Sequence, residues 1–239
     1  MPRKKLDGKP TLKAANTRKR ILDTALRLFL ERGYEGTTMR AVAGEAGVAL
    51  GNAYYYFRSK EHLIQGFYER THEEHMAALR PRLEKERELG KRLELLLVTK
   101  IETSEPYHRF SGLLFKTAAD PKSPLNPFSA ESSPVRADAT ALFATLLDGS
   151  STKVPADLRA KLPELLWLFE MSVILFWIHD ESKGRVRTRR LITRTVEIVT
   201  KLISVASFPL MKPLRTSALG LVDELKLMAT EPVEEEPAG

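Results

Sequence analysis

Apolar residues recur at helical spacing along almost the whole chain, and this periodicity constrains the fold more than any other feature. The stripe Ile21, Leu22, Ala25 and Phe29 is an example, because residues three or four positions apart lie on one face of a helix. Alternation of apolar and polar residues, which is typical of half-buried strands, is nearly absent. The pattern therefore predicts an all-α protein.

Composition narrows the class of protein further. The chain has no cysteine, which excludes disulfides and thiolate metal sites. The stretch from Leu165 to Ile178 is the most apolar, but Glu170 interrupts it and it is too short for a membrane span. The basic, polar N-terminus has no apolar core of a signal peptide. We expect no membrane contact and a cytoplasmic, nucleoid-associated protein.

The positive charge is concentrated at one end. The chain carries a net charge of +7, and residues 1–20 contain eight basic residues and one acidic residue. The rest of the chain is therefore neutral overall. A basic arm of this kind suits a polyanion such as DNA, although a solvated tail is the alternative.

Residues 38–57 predict two short helices joined by a tight turn. Thr37 or Thr38 is a suitable N-cap for the first helix, and Gly47 permits the left-handed backbone that such a turn requires. The second helix begins with small residues, so its backbone can approach a ligand closely. This spacing is typical of the helix-turn-helix, whose second helix enters the DNA major groove.

The same segment, T-M-R-A-V-A-G-E-A-G-V-A-L-G-N-A-Y-Y-Y-F-R-S-K-E-H-L, resembles the N-terminal DNA-binding domain of the TetR family of transcriptional regulators. The likeness extends over about residues 16–65. The matching positions are Thr38, Val42, Ala43, Ala46, Gly47, Val48, Gly51, Tyr54, Tyr56, Phe57, Lys60 and Leu63. Ala49 departs from the pattern, because the family usually has Ser or Thr there. The second helix therefore lacks a side-chain N-cap.

The resemblance implies which residues touch DNA. It assigns phosphate contacts to Tyr54 and Lys60, and places Tyr55 at the groove wall. Tyr56 and Phe57 are expected to face inward, although all three tyrosines could simply pack. Asparagine pairs well with adenine and leucine with a thymine methyl, so base reading falls to the start of the helix. The predicted DNA-binding residues are Thr37, Thr38, Arg40, Leu50, Gly51, Asn52, Tyr54, Tyr55 and Lys60.

The rest of the chain is predicted to dimerise and to bind a ligand. Two long apolar helices near the C-terminus resemble the family's dimer surface, a four-helix bundle, although a monomeric core is the alternative. The predicted dimer residues are Leu168, Ser172, Phe176, Leu191, Thr195, Val199 and Leu202. The resemblance also implies a pocket for a mostly apolar effector. Its predicted residues are Tyr107, Phe110, Phe115, Phe128, Phe143, Trp167 and Met171, for each of which core packing is the competing interpretation.

We therefore predict four regions. They are a disordered basic arm (1–15), a helix-turn-helix domain (16–62), a helical ligand-binding and dimerisation domain (63–208), and a C-terminal extension (209–239) with a short helix and an acidic, disordered tail. The predicted function is a homodimeric repressor on a palindromic operator, released by a small-molecule effector. A ligand-independent regulator or architectural dimer is the alternative.

The sequence contains little support for an enzymatic function. His72 and His75 are three residues apart, whereas the zinc-protease pattern needs four. The chain has no glycine-rich phosphate loop and no G-x-S-x-G turn. We predict no catalysis, no metal and no cofactor.

Overall fold

The computed structural model describes residues 12–224, and within that range the structure is helical without strands. The α-helices are α1 (Leu12–Arg32), α2 (Met39–Glu45), α3 (Leu50–Tyr56), α4 (Lys60–Leu83), α5 (Leu89–Ser104), α6 (His108–Ala118), α7 (Ser133–Asp148), α8 (Ala156–Ile178), α9 (Val186–Ala206) and α10 (Lys212–Glu224). Short 3₁₀ turns precede α6, α9 and α10. The predicted all-α class is confirmed.

The start of α1 differs from the sequence-based expectation. Helix α1 begins at Leu12, inside the region assigned to the arm, because Lys13, Ala14 and Ala15 are good helix formers. Helix α10 begins at Lys212 although Pro213 follows, since a proline in the first turn sacrifices no hydrogen bond. The rest of the predicted arm (1–11) and the predicted acidic tail (225–239) lie outside the described residues.

The chain divides into two compact units, Met1–Tyr68 and Glu69–Gly239. The division falls within α4, slightly later than the predicted boundary after residue 62. In the N-terminal unit, α2 packs against both α1 and α3. The buried apolar stripe of α1 and buried apolar residues of α2, α3 and α4 form the core of this unit. The buried apolar residues of these four segments include Ile21, Leu22, Ala25, Phe29, Val42, Ala43, Ala53, Phe57, Leu63 and Ile64.

The C-terminal unit is built around α8. This helix contacts α5, α6, α7, α9 and α10. It can do so because Leu165–Ile178 is apolar around nearly its full circumference. One core cluster joins side chains of α4, α5, α7, α8 and α9, and Trp177 and Phe143 are among its largest fully buried members.

Residues 119–132 form a loop without regular helix between α6 and α7. The buried guanidinium of Arg136 on α7 donates to the carbonyl oxygens of Pro127 (2.5 Å) and Ser129 (3.3 Å). The Phe128 ring lies edge-on to Trp167 of α8, with 5.6 Å between ring centroids. These contacts hold residues 127–129 of the loop to α7 and α8.

No helix within residues 12–224 is long and apolar enough to cross a membrane.

Candidate nucleic-acid interface

The turn between α2 and α3 has the geometry that its sequence requires. Gly47 adopts a positive φ of 62°, and the amide of Val48 donates to the carbonyl of Ala43 at 3.0 Å. Residues with a β-carbon are strained in this conformation, so glycine suits the position. Buried Ala43 and Ala53 let α2 and α3 approach closely where they cross.

The predicted base-reading residues lie in the first turn of α3. Its N-cap, Ala49, makes no side-chain hydrogen bond, as the sequence predicts. Gly51 and Asn52 are exposed and Leu50 is half-buried. A β-carbon at Gly51 would have no atom within 4 Å, so the start of α3 faces open space. The first turn is therefore free to approach another molecule.

The three consecutive tyrosines point in three directions, because successive helical residues are about 100° apart. Tyr54 and Tyr55 are 46% and 76% exposed, whereas Tyr56 is half-buried. The Tyr55 and Tyr56 rings meet edge-on at 5.1 Å. Among the described residues, none is recorded as a hydrogen-bond partner of the Tyr54 hydroxyl. Tyr54 and Tyr55 therefore keep polar tips available at the surface.

Phe57 fixes the end of α3 in the core of the N-terminal unit. Its side chain is buried, and the guanidinium of Arg18 lies 5.0 Å from its ring centroid. Gly66 of α4 packs so closely that an added β-carbon would lie 2.7 Å from Cε1 of Phe57. Sequence reasoning placed Phe57 inward but did not find Arg18 or Gly66, because both contacts join residues distant in the chain.

The two threonines before α2 have different roles. Thr38 is the N-cap, since its Oγ1 accepts from the amide of Ala41 at 3.2 Å, and Thr38 is exposed. Thr37 is fully buried, and its hydroxyl donates to the Gly33 carbonyl at 2.8 Å. The predicted DNA contact of Thr37 is therefore wrong: its hydroxyl holds the end of α1 to the start of α2.

Lys60 has protein partners at the position assigned to a phosphate contact. Its ammonium donates to the Tyr34 carbonyl at 2.8 Å, lies 4.3 Å from the Tyr34 ring centroid, and is 3.8 Å from the Glu35 carboxylate. Tyr34 in turn donates its hydroxyl to Glu61 at 2.8 Å. A phosphate contact by Lys60 would therefore require Lys60 to leave or share these partners. No spacing in the sequence signals this cluster.

Two other polar residues lie on the exposed side of this unit. Arg40 on α2 is exposed and has no hydrogen bond or ion pair recorded within the described residues. Ser59 caps α4, since its Oγ accepts from the amide of His62 at 3.3 Å. This bond satisfies one of the first amides of α4.

The predicted ligand-binding residues differ in their contacts and burial. Phe128 meets Trp167, whereas Phe115 meets His179, with 6.3 Å between ring centroids. Trp167 and His179 are twelve positions apart on and just after α8, or about 18 Å along the helix axis. Phe110 and Phe143 are buried, Met171 is half-buried, and the Tyr107 hydroxyl donates to Glu74 at 3.1 Å. A single pocket lined by these residues stays a prediction.

None of the seven predicted dimer residues is buried in the chain by itself. Ser172, Phe176 and Leu202 are exposed, and Leu168, Leu191, Thr195 and Val199 are half-buried. The structure adds large exposed apolar side chains on the same faces of α8 and α9. These additional residues are Leu175, Ile198 and Val205. Ile198 and Val205 lie at helical spacing from the predicted dimer residue Leu202, which is a signal that the sequence contains.

Two family models match the chain. The model described as bacterial regulatory proteins, tetR family, matches residues 21–66. The model described as tetracyclin repressor-like, C-terminal domain, matches residues 92–218, which is more than half of the chain.

Individual proteins are similar over shorter stretches or at lower identity. The HTH-type transcriptional repressor KstR of Rhodococcus jostii is 57% identical over 47 residues, which is 20% of this chain and 22% of KstR. The likeness to this relative thus covers only about a fifth of either protein.

Solved structures share the fold over most of the chain. A putative TetR-family transcriptional regulator from Syntrophomonas wolfei has a TM-score of 0.64 at 16% identity, covering 77% of this chain and 95% of that one. The regulator FadR from Bacillus subtilis, solved in complex with stearoyl-CoA, has a TM-score of 0.58 at 15% identity, covering 74% and 96%.

Proposed function

Because the chain belongs to the TetR family of bacterial regulatory proteins, we propose that it is a sequence-specific DNA-binding transcriptional repressor that acts as a homodimer in the cytoplasm. The observation that carries the proposal is the exposed surface of α3. That surface combines an amide side chain, two phenols and a glycine start on a helix that a tight turn holds against α2.

Each group on this surface suits one part of a DNA contact. Asn52 can pair bidentately with an adenine in the major groove, and Leu50 suits a thymine methyl. Tyr54, Tyr55 and Arg40 carry donors for phosphate oxygens, which position the helix without reading sequence. Thr38 remains in this set, whereas buried Thr37 does not.

The apolar surface on α8 and α9 supports the homodimer. Phe176, Ile198, Leu202 and Val205 are between 40% and 62% exposed, which is costly for large apolar side chains unless another surface covers them. A second copy of the same helices would cover them as a four-helix bundle. A two-fold dimer in turn requires a palindromic operator, with half-sites about one helical turn apart or a multiple of that.

Two findings support release by a mostly apolar small molecule. Residues 92–218 match a C-terminal domain model of the family, and FadR, which shares the fold, was solved with stearoyl-CoA. We propose that the effector shifts the dimer toward a form that does not fit the operator. A coupling of about 1–3 kcal/mol, which is typical of allostery, would weaken DNA binding about 5- to 150-fold.

The experiment that tests the proposal is selection of random DNA duplexes by the purified full chain at near-physiological salt, followed by sequencing. We expect a palindromic consensus. Asn52→Ala should relax the preference at one position of each half-site, at a cost of about 1–3 kcal/mol. Tyr54→Phe should weaken binding to all sequences alike, whereas Tyr107→Phe, which removes a phenol from the other unit, is the matched control.

Three outcomes are informative. Enrichment without a consensus would show a non-specific binder dominated by charge and would refute the repressor. A consensus with no response to any small molecule would favour the ligand-independent regulator. Turnover of a bound small molecule would indicate an enzyme instead.

A further inference from the structure

One residue of the loop between α1 and α2 holds the start of α4. The Lys60 ammonium donates to the Tyr34 carbonyl at 2.8 Å and lies 4.3 Å from the centroid of the Tyr34 ring. The Tyr34 hydroxyl donates to the Glu61 carboxylate at 2.8 Å. Tyr34 therefore contacts the first two residues of α4 through its carbonyl, its ring and its hydroxyl, although Tyr34 and Lys60 are 26 positions apart.

Tyr34 is also tied to the end of α1. Its ring lies 5.3 Å, centroid to centroid, from the ring of buried Phe29. Its carbonyl accepts a second hydrogen bond from the amide of Thr37 at 3.3 Å, and the Thr37 hydroxyl donates to the Gly33 carbonyl at 2.8 Å. The start of α4 is therefore fastened to the end of α1 and to the residue that precedes the N-cap of α2.

These contacts join the two ends of the helix-turn-helix segment. Helices α2 and α3 both lie between residues 34 and 60. Joining the ends of a chain segment removes many of the conformations that the segment could otherwise adopt. The orientation of α3 relative to α1 and α4 is therefore restricted by contacts that α3 itself does not make.

The Lys60 ammonium depends mainly on Tyr34. The Lys60 side chain is only 21% exposed, so solvent screens its charge less than that of a surface lysine. A cation that donates to a carbonyl and lies over the face of an aromatic ring is attracted by both groups. The Glu35 carboxylate at 3.8 Å adds little, because the Glu35 side chain is 89% exposed.

Glu61 is the second point of attachment on α4. Burial alone would raise the pKa of Glu61, but hydrogen bonds from Ser59, from its own amide and from Tyr34, together with the Lys60 charge, lower it. The Glu61 carboxyl is therefore ionised at neutral pH. Its hydrogen bond from the Tyr34 hydroxyl is charge-assisted, which makes it stronger than a bond between neutral groups.

We propose that Tyr34, Lys60 and Glu61 form a clasp that positions the helix-turn-helix for sequence-specific DNA binding. Lys60 acts through Tyr34 in this arrangement, whereas the family resemblance implies a direct contact between Lys60 and a DNA phosphate. The inference rests on the proposed function, because it assigns positioning residues to the unit that binds DNA.

The test measures the affinity of the full chain for two duplexes, the selected consensus and a scrambled sequence, at several salt concentrations. Lys60→Met keeps the side-chain stem and loses the ammonium. We expect this variant to lower the ratio of the two affinities about tenfold or more, the lower value for a hydrogen bond to a charged group. Its salt dependence should remain that of the native chain, because no phosphate contact is lost.

Two other lysine or arginine variants provide the comparison. Arg40 is exposed and is proposed to contact phosphate, so Arg40→Met should weaken binding to both duplexes. It should also reduce the log–log salt slope by about 0.9 for each phosphate contact that is lost. Lys116 is exposed on α6 in the other unit, and Lys116→Met should bind both duplexes as the native chain does.

A double-mutant cycle tests whether Lys60 acts through Tyr34. Tyr34→Leu removes the ring and the hydroxyl and should lower the affinity ratio as Lys60→Met does. The double variant should lose clearly less than the product of the two single effects, because both changes open the same clasp, whereas independent contacts add in free energy. Unfolding midpoints without DNA show whether each variant folds. Tyr34→Phe, which loses only the bond to Glu61, takes the place of Tyr34→Leu if the latter unfolds.

Any of three results would overturn this inference alone. A salt slope reduced as much in Lys60→Met as in Arg40→Met would make Lys60 a phosphate contact. Additive effects in the cycle would separate Lys60 from Tyr34, and an unaltered affinity ratio in Lys60→Met would remove its positioning role. Absence of any consensus with the native chain would instead refute the proposed function and the clasp's role in DNA binding with it.

Discussion

Replacing Asp180 should destabilise the C-terminal unit more than any surface change of the same size. Asp180 follows α8 and is buried. One carboxylate oxygen accepts from the amide and hydroxyl of Ser182 (2.9 and 2.6 Å), and the other from the amide and hydroxyl of Thr188 (2.9 and 2.7 Å). Thr188 is in the first turn of α9, so Asp180 sets the turn that joins α8 to α9.

The magnitude follows from which donors lose their partner in Asp180→Ala. Ser182 is half-buried and can turn its groups toward water. Thr188 is fully buried, so its amide and hydroxyl would each remain unsatisfied at about 1–3 kcal/mol. We therefore expect a loss of about 2–6 kcal/mol in the free energy of unfolding, with α8 and α9 less firmly paired.

The stability contributed by Asp180 should also depend on pH. Burial alone would raise the pKa of Asp180, but the hydrogen bonds from Ser182 and Thr188 outweigh burial and lower it well below the usual range. Because the folded-state pKa is depressed, the contribution is complete above the unfolded pKa of about 3.9 and is lost as pH falls below it.

Urea unfolding at one fixed protein concentration measures the effect, since dimerisation would make stability depend on concentration. Glu181→Ala is the matched control, because Glu181 is the adjacent acidic residue and is exposed. If Asp180→Ala unfolds within about 0.5 kcal/mol of Glu181→Ala, a difference typical of surface changes, the hydrogen-bond argument is wrong.

Three further predictions concern other parts of the chain. His75 is buried and donates to the Leu96 carbonyl at 3.1 Å, and its pKa is lowered to about 3. Because the unfolded chain binds a proton that the folded chain does not, the free energy of unfolding should fall by up to about 1.4 kcal/mol per pH unit as pH drops below 6.5. His75→Gln should flatten that slope in urea titrations, and equal slopes for the two proteins would contradict the prediction. Gly66→Ala should lower the free energy of unfolding of the N-terminal unit by about 1–3 kcal/mol, because the new methyl group would lie 2.7 Å from the Phe57 ring. An unchanged unfolding midpoint would show that the ring moves aside without cost. Leu202→Glu should convert the dimer to monomer in sedimentation experiments without loss of helicity by circular dichroism, and a persistent dimer would place the interface elsewhere.

Local chemistry was sufficient to predict the elements of this fold from the sequence. Helical periodicity depends only on residues three and four positions apart, so the all-α class and the two short helices within residues 38–57 could be predicted from the sequence. The turn before α3 depends on Gly47, whose positive φ requires no information from distant residues. The exposed positions on α3 follow from the 100° step between residues, together with the burial of Ala53.

Tertiary structure decided how the side chains are used, because that depends on residues far apart in the chain. The Thr37 hydroxyl is hydrogen-bonded inside the protein and the Lys60 ammonium is bonded to Tyr34, although both residues are predicted to bind DNA. In the sequence, Glu170 is only an interruption of an apolar stretch. The packing of α8 among its neighbouring helices buries that carboxyl, and the loss of hydration raises its pKa.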